Sequence, residues 1–180
     1  MFGQQRQQGS GFRISPTLII ALVMAAFTLF KYYGQSSVNE ITGETQHISM
    51  TPEQEIAMGL QSAPQMAEEF GGLSRNQQAT AVVKQVGRSI VQSSAAKQTP
   101  YQYDFHLLAD QQTINAFALP GGQVFITEAL LYRLTTDGKN LNQDMLAGVL
   151  GHEVGHVVAR HSAERMAQME LAQGLTGAVT

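Results

Sequence analysis

His152-Glu153-Val154-Gly155-His156 sets two imidazoles four residues apart, with a glutamate directly after the first. On a helix, four residues turn the chain by roughly 400°, leaving the two histidines about 40° apart in azimuth and about 6 Å apart along the axis. Both rings can then reach one Zn²⁺ at ~2.0–2.1 Å. Glu153 lies about 100° round from His152. It is badly placed as a further ligand but well placed to take a proton from a water beside the ion. The spacing therefore names His152 and His156 as metal ligands and Glu153 as general base.

The flanks predict a helix. Asn140 and Gln143 have capping-box spacing, and Asn142 offers a second cap. From Met145 to Ala159 there is no proline. Leu146, Val149, Leu150, Val154, Val157 and Val158 cover much of the surface, which predicts burial on most sides. A glutamate and two histidines in such a helix are costly unless something satisfies them. Two capped core histidines beside a surface glutamate would be the bland account of the same letters, and it leaves that cost unanswered.

Composition narrows the rest. Hydrophobic content of 43% with 14% charged residues belongs to a folded chain, and 180 residues suffice for one domain with a short appendage. The net charge of −3 comes without a basic stripe, which argues against nucleic acid as a partner. With no cysteine there is no disulfide framework, thiolate ligand or cysteine nucleophile. Ile14 to Tyr33 forms an apolar run about 20 residues long, enough to span a bilayer. Lys31, Tyr32 and Tyr33 close it in a manner suited to a headgroup region. A cleaved signal peptide would need a small-x-small site, and Lys31-Tyr32-Tyr33-Gly34 is a poor one, so a retained anchor is expected. Arg6 and Arg13 ahead of the run favour a cytoplasmic N-terminus and an extracytoplasmic remainder, and a glutamine-rich tail (Gln4, Gln5, Gln7, Gln8) precedes it.

Gly34 to Met50 reads as a linker. Thr51-Pro52-Glu53-Gln54 starts a helix that should end near Phe70 at Gly71-Gly72. Ser74 and Gln77 start another, with Ala79, Val82, Val83, Val86, Ile90 and Val91 at helical spacing. Strands are expected over Tyr101–Leu108, Ile114–Leu119 and Gln123–Thr127, with a turn at Pro120-Gly121-Gly122. Glu128 to Leu134 resumes helical spacing and Asp137-Gly138 ends it. The order predicts an α+β domain with a small sheet beside the metal helix.

Asn115-Ala116-Phe117-Ala118-Leu119-Pro120-Gly121-Gly122, then Val124-Phe125-Ile126-Thr127 and Leu130-Leu131, then the His-Glu-x-x-His helix and Arg160-His161-Ser162, resemble one zinc metallopeptidase family. It is the family of the HtpX-type membrane proteases, the CAAX prenyl endopeptidases and the mitochondrial OMA-type proteases. The resemblance covers roughly Thr51 to Met169. It implies a zincin-like (gluzincin) fold with one zinc per chain on His152 and His156, and Glu153 as base. It also implies an edge strand, Asn115, Ala116, Phe117 and Ala118, that takes substrate as an extended chain. The expected function is zinc-dependent endopeptidase cleavage of misfolded or membrane-associated proteins. A single-pass anchor would hold the domain on the extracytoplasmic side.

The family's third ligand is a glutamate on a later helix. Here only Glu164 and Glu170 follow His156 as carboxylates. On a continuous helix Glu164 lies about 12 Å beyond His156, and His161 points about 140° away from it. The third ligand is therefore expected beyond residue 180, with Glu170 returning only if the chain breaks. His161 reads as a polar residue near a helix C-terminus. The domain plan is a polar tail (1–13), an anchor (14–33), a linker (34–50) and an incomplete peptidase domain (51–180). The rival expectation is a non-catalytic, holdase-like peptide-binding module.

Overall fold

The computed structural model describes residues 15–136 and 140–177. Arg6, Arg13, Ile14, the glutamine-rich tail and Asp137-Gly138 lie outside these residues. Ser15 caps the first helix, α1 (Pro16–Gly34), by accepting from the Leu18 amide. Its apolar side chains are exposed, among them Ile20, Val23, Phe27 and Phe30. It is long and apolar enough to cross a membrane.

The stretch expected as a linker carries an antiparallel hairpin, β1 (Ser36–Val38) with β2 (Thr45–His47). Its sequence is too polar and its strands too short to show alternation. The reason it is ordered is tertiary. The His47 ring packs against Tyr32 and Tyr33 at the end of α1, with centroids 4.5 and 5.6 Å away. Asn39 and Gln46 are buried.

α2 (Pro52–Glu69) begins with the expected capping box on Thr51 and Gln54 and stops at Phe70, ahead of two positive-φ glycines, Gly71 and Gly72. α3 (Gln77–Ser93) is capped by Asn76 rather than Ser74, whose hydroxyl accepts instead from the Asn76 amide. A 3₁₀ turn at Ala95–Gln98 leads into β3 (Asp104–Leu108). This strand starts later than expected because Tyr101 is drawn into a side-chain network described below. β4 (Ala116–Ala118), the Pro120–Gly122 turn, β5 (Gln123–Thr127) and α4 (Glu128–Arg133) follow. A small ladder then joins β6 (Thr135–Thr136) to β7 (Asn140–Leu141). The last two helices are α5 (Gln143–Val158) and α6 (His161–Gly177).

The three-stranded sheet has the order β3-β5-β4, with β3 parallel and β4 antiparallel to β5. Helices cover both faces of the central strand, so all five residues of β5 are buried. Phe105, Leu107, Val124 and Ile126 face a core shared with Val83 of α3 and Leu146, Leu150 and Val154 of α5. Leu108 and Phe125 face the other way, onto Ala67, Phe70 and Phe117. This strict period of two in β3 and β5 fixes register, because a one-residue slip would exchange the two cores. Leu146 and Leu150 are fully buried, so truncating either to alanine removes about 2–5 kcal/mol. The metal-motif helix is thereby clamped to the sheet.

Candidate metal centre

α5 is capped by Asn142, which accepts from the Met145 amide, rather than by the Asn140/Gln143 pair. Its burial is less complete than the letters suggest. Leu146, Leu150, Val154 and Val157 form the buried stripe, while Met145, Gly148, His152 and Gly155 form an open one. His152 thus stands at solvent rather than in a core. The cost argument for a bound ion applies to half-buried Glu153 and His156 alone.

The two motif histidines point the same ring atom at one place. His152 Nε2 and His156 Nε2 lie 3.0 Å apart, with the rings edge to face. Zinc with nitrogen ligands at ~2.0–2.1 Å in a tetrahedron holds those nitrogens about 3.3 Å apart. The pair needs to open by only a few tenths of an ångström, so the donor set fits a zinc ion. Burial, with help from the neighbouring His152, His161 and Arg165, holds the His156 imidazolium below its usual pKa. That favours the neutral ring a metal requires. Burial pushes the Glu153 carboxyl up, with His152 pulling it partly back. A carboxylate that holds its proton more readily than an exposed one is better matched to base catalysis near neutral pH.

Among the described residues no three His, Asp or Glu side chains gather to hold one ion. Glu164 reaches towards Gln46, at 3.5 Å, and Glu170 pairs with Lys31 at 3.4 Å. The chain does break early, but Glu170 does not return.

That break is where the structure departs most from expectation. α5 ends at Val158, and Arg160 adopts φ 56°, a left-handed conformation unusual for any residue but glycine. Buried Glu55 accounts for it. The Arg160 guanidinium donates from both Nε (2.8 Å) and Nη2 to Glu55 Oε1, and from Nη2 to the Met50 carbonyl at 2.8 Å. Tyr101 donates to Glu55 Oε2 at 2.9 Å. Burial first, and the Glu55 carboxylate second, push the Tyr101 hydroxyl well above its usual pKa, so it stays a donor. The hairpin completes the junction. Asn39 Nδ2 donates to the Val158 carbonyl at 2.9 Å and Gln46 Nε2 to the Ala159 carbonyl at 2.5 Å, satisfying C-terminal groups that a helix leaves unpaired.

Because the chain turns at Arg160, His161 opens α6 instead of trailing off α5, and its ring swings back. His161 Nδ1 lies 2.6 Å from His156 Nδ1, the nitrogen opposite the one facing His152. The expected 140° divergence holds only for an unbroken helix. Glu55 and Tyr101 carried no sequence signal of this role, since their partner is remote along the chain.

β4 is an edge of the sheet. Asn115 is tied to β5, accepting from the Thr127 amide at 3.0 Å and donating to Thr127 Oγ1 at 3.2 Å. The Leu119 amide donates to Gln123 at 2.8 Å. With Phe117 opposite Phe125, antiparallel alternation turns the main-chain groups of Ala116 and Ala118 away from β5. The side chains divide the opposite way. Phe117 stacks on Phe125 and packs on Phe70, with centroids 5.0 and 5.3 Å away, while Ala116 and Ala118 pack towards the α5 core.

Residues 77–180, more than half the chain, match the family described as Peptidase family M48. Among relatives, 66 residues are 46% identical to the mitochondrial metalloendopeptidase OMA1 of Schizosaccharomyces pombe, covering 37% of this chain and 18% of that protein. A longer stretch of 134 residues is 33% identical to the beta-barrel assembly-enhancing protease of Yersinia pestis, covering 74% of this chain and 26% of that protein. The OMA1 of Bos taurus is 41% identical over 64 residues, which is 36% of this chain and 11% of the relative. The chain thus spans only a minor part of the curated relatives it matches. It belongs to peptidase family M48.

Proposed function

We propose that the chain carries the metal helix and substrate edge of a zinc-dependent, membrane-anchored metalloendopeptidase with a zincin-like domain over 51–180. The observation that carries the reading is the convergence of His152 Nε2 and His156 Nε2, 3.0 Å apart, with Glu153 between them in sequence. His152 and His156 would hold the ion, with a third protein ligand from outside the described residues. A bound zinc supplies Lewis-acid polarisation of the scissile carbonyl and acidifies the attacking water. Glu153 takes the proton from that water and passes it to the departing amine. Its raised affinity for protons, which follows from burial, suits both transfers.

An extended substrate segment would add to the free edge of β4 through the main-chain groups of Ala116 and Ala118. Such pairing makes few sequence demands, consistent with misfolded or membrane-associated polypeptides as substrates. The exposed apolar surface of α1 supports an anchor over 14–33, and the basic residues ahead of it in sequence, Arg6 and Arg13, favour a domain on the extracytoplasmic side.

The test is Glu153→Gln in the full chain, assayed on a fluorogenic unfolded polypeptide alongside metal content. Cleavage should fall by about 10²–10⁴-fold while zinc stays bound. Undiminished cleavage by the variant would remove Glu153 from the mechanism. The two-histidine donor set favours a second reading, peptide capture without hydrolysis. Under it, strong chelation would leave peptide binding unchanged and no cleavage would be seen.

A further inference from the structure

The motif histidines are not the end of the imidazole chain. The second nitrogen of His156 faces His161 Nδ1 at 2.6 Å, and the two rings stand 4.9 Å apart, nearly edge to face. One of these two nitrogens donates and the other accepts. If His156 is to present a lone pair from Nε2, its proton must sit on Nδ1. His161 is then the acceptor, with its own proton on Nε2.

From this geometry we infer that His161 is a positioning residue for the metal centre: it accepts the Nδ1 proton of His156, fixing that ring's tautomer and its orientation. The inference rests on the metal-site reading above. A ligand histidine needs a partner on its other nitrogen to hold the correct tautomer and to raise its basicity. In this chain a ring supplies that partner where a carboxylate or carbonyl would serve elsewhere. His161 is not a direct ligand of the same ion, because it meets the nitrogen on the far side of the His156 ring from His152.

The placement depends on a remote clamp. His161 sits beside His156 only because Arg160 holds its left-handed turn, and Arg160 is bound to Glu55 on α2 and to the Met50 carbonyl. Two adjacent residues after the metal helix thereby take separate tasks. Arg160 sets the turn, and His161 uses it.

The experiment uses the full chain in detergent, with ¹⁵N-labelled histidine, and two substitutions. His161→Ala removes the acceptor. His161→Asn keeps an acceptor oxygen close to the position of Nδ1. Long-range ¹H–¹⁵N spectra of the metal-free protein should show His156 protonated on Nδ1 in the parent and in His161→Asn, and shifted towards Nε2 in His161→Ala. Zinc affinity, measured by chelator competition, should fall by about 10–100-fold in His161→Ala and stay near the parent in His161→Asn. An unchanged His156 tautomer and affinity in His161→Ala overturns the inference. So does an equal loss in both variants, which would mean that packing, not acceptance, matters. His152→Ala separates the two readings. If it leaves zinc affinity unchanged, the metal-site reading fails, while the tautomer result on metal-free protein still decides the role of His161.

Discussion

Replacing Arg160 with methionine removes the cation that, among the described residues, pairs with a carboxylate only 2% exposed, that of Glu55. Glu55 would keep its bond from Tyr101 but lose both guanidinium contacts. The Met50 carbonyl would lose its side-chain donor as well. Breaking a buried pair by deleting one partner costs about 3–5 kcal/mol, because the remaining charge is uncompensated. Total stabilities run to only about 5–15 kcal/mol, so the loss should be large. With a urea m-value of about 2 kcal/mol/M, the midpoint should fall by about 2 M. Urea titration of the full chain in a mild detergent, followed by far-UV circular dichroism, reads this directly.

Two further variants isolate the cause. Arg160→Gly loses the same ion pair but frees a left-handed position that costs an L side chain about 1–2 kcal/mol. It should therefore be less destabilised than the methionine variant. In a Glu55→Gln background, Arg160→Met should cost less than in the parent, with a coupling of about 1–3 kcal/mol. A loss below about 1 kcal/mol for Arg160→Met, well under the buried-pair range, or a cycle with no coupling, would refute the clamp.

Two glycine substitutions test the frame around the site. Gly121→Ala forces a residue with φ 78° to carry a Cβ placed 2.4 Å from Ile56 Cα and 2.8 Å from the Glu55 carbonyl oxygen. These are backbone atoms of α2 that cannot swing aside, so strain and overpacking together should cost about 2–5 kcal/mol, read by the same titration. Gly148→Ala is the opposite case, since a Cβ on this exposed helix position meets nothing within 4 Å. It should stabilise by about 0.5–1 kcal/mol, seen as a rise in Tm, and a fall would mean that the open face of α5 is covered by something in solution.

What could be read from the letters was local. The His152/His156 pair, the Thr51–Gln54 capping box and the Gly71-Gly72 stop are each decided within a few residues, and α2 and α5 formed accordingly. What could not be read depended on partners far along the chain. No glycine or proline marks the break at Arg160. Its left-handed turn is imposed by a glutamate on α2, so local rules predict an unbroken helix and misplace His161. The hairpin at Ser36–His47 shows no apolar alternation because its buried residues, Asn39 and Gln46, are there to satisfy the end of α5. Sheet order was equally hidden: β4 precedes β5 in sequence, yet β5 lies between β3 and β4.

The same break that places His161 also ties the metal helix to the apolar N-terminal helix. α6 departs from the site and packs along the end of α1. Glu170 pairs with Lys31 there, and Gly174 sits so close to Thr28 that a Cβ would come within 2.6 Å of its methyl carbon. Lys31 closes the apolar run, so Glu170 marks the level at which a bilayer surrounding α1 would end. From His161 to Glu170 the helix rises about 14 Å. Under the proposed function, that length bounds the height of the metal centre above the lipid surface. Under the same reading, a polypeptide cut at that centre would have to come within about this height of the lipid surface, which would favour chains at or emerging from the membrane. The proposed anchor would then contribute to substrate choice through the helix packed against it, and not merely through local concentration.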